Sequence, residues 1–298
     1  MVRDSDMKIL VIGKNGQLGR SITEQFSLSA TDNMALVSYD SSECNITDKE
    51  QIVQRIQQDR PDVIINASAY TKVDQAESEP QEADQVNHIG VMELGKVAAA
   101  HGIPVIHVST DYVFDGDAVF PYTPEDQTNP QSVYGKTKLA GEQALQQVNP
   151  QHLIVRTAWV FSEFGNNFVK TMLRLSDKEQ LSVVADQYGC PTYAGDLAKC
   201  LLTLCLAISK HEVTWGVYHF SGDAETSWHG FAQAIFSIAK SQNFIDVMPK
   251  VKAISTEEYP TLATRPKFSS LECQKLALYG IQPSNWRLAL RNILPKIQ

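Results

Sequence analysis

Cysteine is scarce and unpatterned in this chain. Cys44, Cys190, Cys200, Cys205 and Cys273 are the five among 298 residues, and none forms a CxxC pair. An odd count without such pairs argues against a disulfide framework and for small buried hydrophobes in a reducing compartment. Cys200, Cys205 and His219 make a poor metal set. Long apolar runs are missing too. The most apolar stretch, Leu197–Ile208, contains Lys199 and is too short to cross a bilayer. Met1–Asp6 is short and polar, without the apolar core of a signal peptide. A cytoplasmic protein with no membrane partner is the expectation. Positive charge is in deficit: the formal net charge is −8. Such a field repels polyphosphate, so no nucleic-acid partner is expected. There is no Gly/Ser-rich linker, internal repeat or low-complexity tract.

What is present is an ordinary globular composition, with 43% hydrophobic and 20% charged residues. In the first half, hydrophobic periodicity alternates between two and about 3.6. Strand-like runs at Met7–Ile12, Met34–Tyr39, Val63–Asn66, Val105–Ser109 and Leu153–Arg156 are separated by helical patterns. One helical pattern follows Thr47 and Glu50, which read as a capping box. A longer one covers about 81–101, and another is Val133–Val148. This alternation predicts an α/β fold, a Rossmann-like doubly wound parallel sheet. The second half loses the rhythm. It carries helices near Leu197–Ile208, Trp228–Gln242 and Trp286–Ile293, and a strand near Tyr218–Phe220. It reads as a smaller α/β lobe. The division expected is a dinucleotide-binding domain over 1–160, with a returning segment at about 195–212, and a mainly substrate-binding lobe over 161–298.

Gly13-Lys14-Asn15-Gly16-Gln17-Leu18-Gly19 closes the first strand and opens the first helix. A glycine at Gly13 permits a tight turn. Gly16 lets backbone approach a pyrophosphate, and Gly19 lets helix and strand pack closely. The helix N-terminus then offers N–H groups to phosphates. The spacing is GxxGxxG, a weak signal alone and a stronger one at the start of a βαβ unit. Asp40 ends the second strand, where a carboxylate can accept hydrogen bonds from an adenosine ribose. It favours NADH over NADPH, because a 2′-phosphate would meet negative charge and Ser41 supplies no cation. A plain turn aspartate is the competing reading.

Tyr134 and Lys138 lie four apart in a helical segment, on one face. An ammonium near a phenol lowers its pKa from about 10 toward the working range. The same lysine can bond a nicotinamide ribose. Ser109 and Thr110 end the fourth strand, the edge at which open α/β sheets bind ligands. A hydroxyl there can steady a carbonyl oxygen.

These features resemble the extended short-chain dehydrogenase/reductases. Within them the chain resembles the dTDP-4-dehydrorhamnose reductases, through Asn66–Pro80, Ser109–Gly116, Tyr134–Glu142, Arg156–Phe161, Gly165–Phe168, Asp186–Thr192 and Ala263–Pro266. The resemblance runs through nearly the whole chain. It implies an NADPH- or NADH-dependent reduction of a nucleotide-sugar C4 ketone, with Tyr134 protonating O4. By position it assigns Thr110 as the assisting hydroxyl and Asp111 as a sugar contact. Ala69, Tyr70 and Thr71 would line the cofactor groove, with Asn45 and Ile46 near the adenine. Trp159 and Asn167 would face the substrate, and Arg265 the diphosphate.

Two departures stand out. Asn45-Ile46-Thr47-Asp48 replaces the family's usual Asp-Ile-Thr-Asp, and Ser21 stands where some members carry a glutamate that helps bind a metal between subunits. The resemblance therefore implies a monomer or homodimer without that metal. Three alternatives remain. A dehydratase would carry glutamate where Tyr112 follows Asp111. A 4-epimerase shares the first-half motifs. A regulatory subunit like that of methionine adenosyltransferase would keep the fold without the reaction.

Overall fold

A computed structural model describes residues 7–29 and 34–297. Met1–Asp6 lies outside them. The five strand-like runs of the first half all form strands: β1 Met7–Ile12, β2 Met34–Tyr39, β3 Val63–Asn66, β4 Val105–Thr110 and β5 His152–Thr157. A sixth, β6 Gly216–His219, completes one sheet of order β6-β5-β4-β3-β1-β2. Every pairing in it is parallel. Parallel strands need crossovers that cover both faces, so their residues are apolar on both sides. Ile9, Val11, Val63, Ile65, Ile106, Leu153 and Val155 serve one buried cluster. Leu10, Ile12, Ile64, Val105 and Ile154 serve the other. The strand expected near Tyr218–Phe220 in the smaller lobe thus adds to the main sheet instead.

Helix α1 (Gln17–Leu28) packs against α5 (Ala194–Ser209) on the first face. Helices α2 (Lys49–Asp59), α3 (Gly90–Ala100) and α4 (Val133–Val148) cover the second. The cap of α2 differs from the expected Thr47/Glu50 box. Asp48 is the N-cap and accepts from the Gln51 N–H at 3.1 Å. The capping side chain sits one residue later because Thr47 is held in a turn by Asn45. The helix expected over 81–101 is interrupted. Pro80–Asp84 runs into a π-helical turn, Gln85–Ile89, before α3 begins.

A second cluster gathers α6 (Trp228–Ser241), α7 (Trp286–Ile293), Phe168–Arg174, and residues of the paired strands Gln180–Val184 and Lys250–Ile254. Its centre is aromatic and aliphatic: Phe161, Phe231, Phe236, Trp286 and Leu290 are all buried. The chain order reverses between β1 and β3, and the crevice beyond their C-terminal ends is where such sheets bind ligands. Among the described residues no helix is long and apolar enough to cross a membrane.

Candidate active site

The glycine turn is built as its composition demands. Gly13 has φ +101°, and a Cβ there would meet the Ala67 backbone at 2.8 Å. A Cβ on Gly19 would fall 2.2 Å from the Gly13 carbonyl oxygen. Gly16 is different: its nearest such neighbour is 3.5 Å away. The protein's own packing does not require glycine at that position, which leaves open space beside the turn. Gly16 is also the N-cap of α1 and supplies no side-chain cap. The first N–H groups of α1 therefore keep their capacity for an anion.

From this turn a cavity of about 1020 Å³ runs along the C-terminal sheet edge. Asn15, Gly16, Gln17, Leu18, Asp40, Asn45 and Ile46 line one end; Ala69, Tyr70 and Thr71 line the middle. Thr110, Asp111, Tyr134, Lys138 and Trp159 line the far end. The volume, the uncapped helix and the ribose-side carboxylate together fit a nicotinamide dinucleotide. Gly19, Asn167 and Arg265 are not in the lining. Gly19 acts by packing, as just described.

At the near end of the cavity Asp40 is already well bonded. Its Oδ1 accepts from the Ser42 N–H at 2.9 Å and the Ser42 hydroxyl at 2.6 Å, and its Oδ2 accepts from Asn15 at 2.8 Å. The Ser42 hydroxyl leads in holding its carboxyl below the usual range. Lys14 Nζ lies 3.9 Å from Asp40 and pairs with Glu43. No cation directly follows Asp40 in the sequence; this one comes from the glycine turn, 26 residues upstream. Asn45 Oδ1 accepts from the Thr47 N–H and hydroxyl, which leaves its NH₂ end for an adenine edge.

The far end of the cavity is dry. Lys138 is 2% exposed and Asp111 is 3% exposed. Burial pushes the Asp111 carboxyl up to about 6, with the nearby hydroxyls of Ser269 and Thr110 opposing. Burial lowers Lys138 to about 8, against the pull of Glu142. Tyr134 is not acidified as the spacing suggested. Burial drives it well above its ordinary value, with Thr110 opposing and the Asp111 and Tyr112 charges adding. The reason is geometric: Lys138 Nζ donates to the Val108 carbonyl at 2.7 Å and faces His107 at 3.4 Å. Thr110 donates to Asp111 Oδ1 at 2.9 Å and accepts from the Tyr112 N–H at 3.2 Å. Three buried oxygens on this wall have no partner: Ser109 Oγ, Asp111 Oδ2 and Thr157 Oγ1. Unfilled buried polar capacity is costly, and here it faces the cavity.

The wall beside it is aromatic. Trp159 has φ +49°, a left-handed conformation that is strained for a bulky residue. Two contacts hold it. Trp228 stacks on its indole at 3.5 Å with 7° between planes. Gly189 sits so close that a Cβ would meet the indole at 2.7 Å. Asn167 caps Phe168–Arg174 and donates to Gln17 Oε1 at 3.0 Å, tying the glycine turn to the second lobe. Its neighbour Asn166 lines the cavity. Arg265 donates to Asp74 at 2.5 Å and to the Tyr112 hydroxyl at 2.9 Å. Tyr112, His107 and Trp228 were not singled out as site residues from sequence. An aromatic or histidine beside a strand end carries no local signal of its role.

Ser21 is buried within α1, its hydroxyl bonded back to the Gln17 carbonyl. Among the described residues no group of three or more His, Cys, Asp or Glu side chains is placed to hold a metal.

Comparison with known proteins agrees along the chain. The family model described as RmlD substrate binding domain matches residues 7–298. A dTDP-4-dehydrorhamnose reductase of Aggregatibacter actinomycetemcomitans is 46% identical over 96% of this chain and 98% of its own. The crystal structure of the Bacillus anthracis dTDP-4-dehydrorhamnose reductase in complex with NADP superposes with TM-score 0.89 at 37% identity, covering 98% of this chain and 99% of that one. A Clostridium acetobutylicum orthologue gives TM-score 0.89 at 39% identity, covering 98% and 100%. The chain belongs to the dTDP-4-dehydrorhamnose reductase family.

Proposed function

We propose that this protein reduces the C4 ketone of dTDP-4-dehydro-L-rhamnose to the alcohol of dTDP-L-rhamnose, with Tyr134 as proton donor. One observation carries the reading: Tyr134, Lys138, Thr110 and Asp111 meet at the dry end of the cavity whose other end is the glycine turn. When bound, the nicotinamide supplies the hydride. The chain's residues do the rest. The N–H groups of Gln17 and Leu18 hold the diphosphate of the cofactor, and Ala69, Tyr70 and Thr71 line its path. Burial keeps the Tyr134 hydroxyl protonated until an alkoxide forms at O4, the task of a general acid. Thr110 steadies O4 beside it. Asp111 Oδ2, buried without a partner, accepts a sugar hydroxyl. Trp159 forms the wall against the sugar ring.

Asn167 acts at one remove. Asn167 fixes Gln17 and the turn of Asn166. Arg265 reaches the substrate diphosphate by exchanging its Asp74 contact. The cofactor is NADH or NADPH. Asp40 tilts the choice toward NADH, and Lys14 moderates that tilt by offering a cation to a 2′-phosphate. A panel of 4-keto nucleotide sugars assayed with each cofactor tests the reading. Turnover confined to the dTDP-4-dehydro-6-deoxysugar is the expected outcome; no turnover with any of them would refute it.

A further inference from the structure

Lys138 faces a buried histidine whose ring proton decides what the lysine meets. Its Nζ is 3.4 Å from His107 Nε2. The other ring nitrogen, Nδ1, is 3.1 Å from Asn66 Nδ2. His107 and Asn66 are both fully buried, on the adjacent strands β4 and β3.

Asn66 settles which nitrogen is protonated. Its Oδ1 accepts from the Ser68 backbone N–H at 3.1 Å and from the Ser68 hydroxyl at 2.6 Å. A backbone N–H only donates. The carbonyl end of the amide must therefore face Ser68, and the NH₂ end must face His107. Nδ1 is then an acceptor. Burial first, and the Lys138 charge second, hold the ring well below the usual imidazole range, so it is neutral and has one N–H. That N–H is on Nε2, aimed at Lys138.

We propose that Asn66 and His107 are positioning residues that present an N–H, rather than a lone pair, to Lys138 Nζ and so favour the amine form of the lysine over its ammonium. This rests on the reading of Lys138 as the partner of Tyr134. An ammonium has three donors and no acceptor, so against Nε2–H it meets donor with donor. An amine has a lone pair and accepts that hydrogen. The remaining charges around the lysine act otherwise. Glu142, one turn on along α4, favours the ammonium but is held by Arg156 of β5 at 2.7 Å. Asp111 and Tyr112, just past the end of β4, act on Tyr134 instead.

The consequence is a proton reserve. After Tyr134 gives its proton to O4, the phenolate regains one that comes from the Lys138 ammonium through an intervening hydroxyl, since Nζ itself faces Val108 and His107. An O–H bond forms and an N–H bond breaks. The lysine is left as an amine whose lone pair accepts from His107, and a solvent proton later restores it. His107 neither gains nor loses a proton in the cycle.

The first test is long-range ¹H–¹⁵N correlation NMR on the full-length protein, with His107→Gln assigning the ring. A neutral Nε2–H tautomer across pH 6–9 is expected. An Nδ1–H tautomer, or a ring that titrates in that range, would overturn the proposal. The second is the pH profile of turnover. Asn66→Asp makes the side chain an acceptor, moves the ring proton to Nδ1 and offers Nε2 to the ammonium. The alkaline limb should then move up by about one pH unit, tenfold in proton affinity. A lower kcat with an unmoved limb would mean a merely structural role and would also overturn it. Full turnover by Lys138→Met would refute it by a separate route, because Lys138 would then have no part in the reaction whatever tautomer His107 holds.

Discussion

Two buried polar clusters sit one helical turn apart on α4, and they are built on opposite plans. Around Glu142 the charges are matched. Arg156 forks onto both carboxylate oxygens at 3.0 Å and 2.7 Å, and its guanidinium lies 5.1 Å from the Phe114 ring centroid. Around Lys138 they are not. Lysine, histidine, tyrosine and aspartate are all displaced from their ordinary pKa values by burial, and three oxygens have no partner. The first cluster joins α4 to β5 within the fold. The second keeps hydrogen-bonding capacity unfilled next to a cavity, which is how perturbed groups at functional sites are arranged. Burial alone does not separate the two, and neither does one open donor, since Arg156 Nη1 also has no partner; matched charge and distance from the cavity do.

The comparison is broken or sharpened by variants of each cluster. The largest effect is expected from Tyr134→Phe. It should lower kcat by about 10³-fold or more, the scale of a lost general acid, while a fluorescence titration shows dinucleotide binding within about twofold of the parent. Retained activity would remove Tyr134 from the reaction.

Next comes the matched cluster. Glu142→Gln leaves a buried guanidinium without its counter-charge, which should cost about 3–5 kcal/mol of stability in denaturant unfolding. Activity per folded molecule should survive. A catalytic defect with unchanged stability would reverse the assignment of the two clusters.

Asp111→Asn should do the reverse and stabilise. The carboxyl is raised from 3.8 to about 6, so the folded state holds its proton longer than the unfolded chain. The penalty is absent below pH 3.8 and complete above about 6. Removing it should add about 1–3 kcal/mol at pH 7.5, and the gain should vanish toward pH 4. A gain independent of pH would mean that packing, not charge, is responsible. Turnover should fall, as a site trades stability for function.

Smaller effects belong to the walls of the cavity. Trp228→Ala removes the stack that holds the left-handed Trp159. It should raise KM for the nucleotide sugar about tenfold, worth ~1.4 kcal/mol, and leave KM for the dinucleotide alone. Parallel loss of both would make Trp228 a general core residue. The smallest difference is between cofactors: KM for NADH should be below that for NADPH by less than about tenfold, since Asp40 and Lys14 oppose one another. Lys14→Ala should widen that gap in a steady-state comparison.

Much of the scaffold was legible because it is local. Strands β1, β2 and β3 and helix α4 begin and end where periodicity places them, since each is a short apolar run or amphipathic stretch with clear breakers. The glycine turn was legible for the same reason. What escaped depends on distant residues. β6 joins the main sheet through its pairing with β5, more than 60 residues earlier. Arg265 finds Asp74 across 191 residues of sequence. The direction of the Tyr134 shift follows from where the Lys138 nitrogen points, which spacing on a helix does not determine. The role of His107 needs Asn66 and Ser68 on a neighbouring strand and loop.

The π-helical turn at Gln85–Ile89 bears on how this chain tolerates length change. Within it Asn87 is buried and clamps Tyr70 from both sides, accepting its N–H at 2.9 Å and donating to its carbonyl at 3.1 Å. Gly141 of α4 fits against the same residue, where a Cβ would fall 2.0 Å from the Asn87 carbonyl oxygen. Deleting one residue here would restore a regular helix, the least visible kind of sequence edit. It would also rotate the segment beyond it by about 100°, carrying Asn87 off Tyr70 and the cofactor groove. Insertions and deletions a few positions away, in the exposed turns, carry no such penalty. A surplus residue in a helix is thus a frame marker: it registers the reading of the chain to the site.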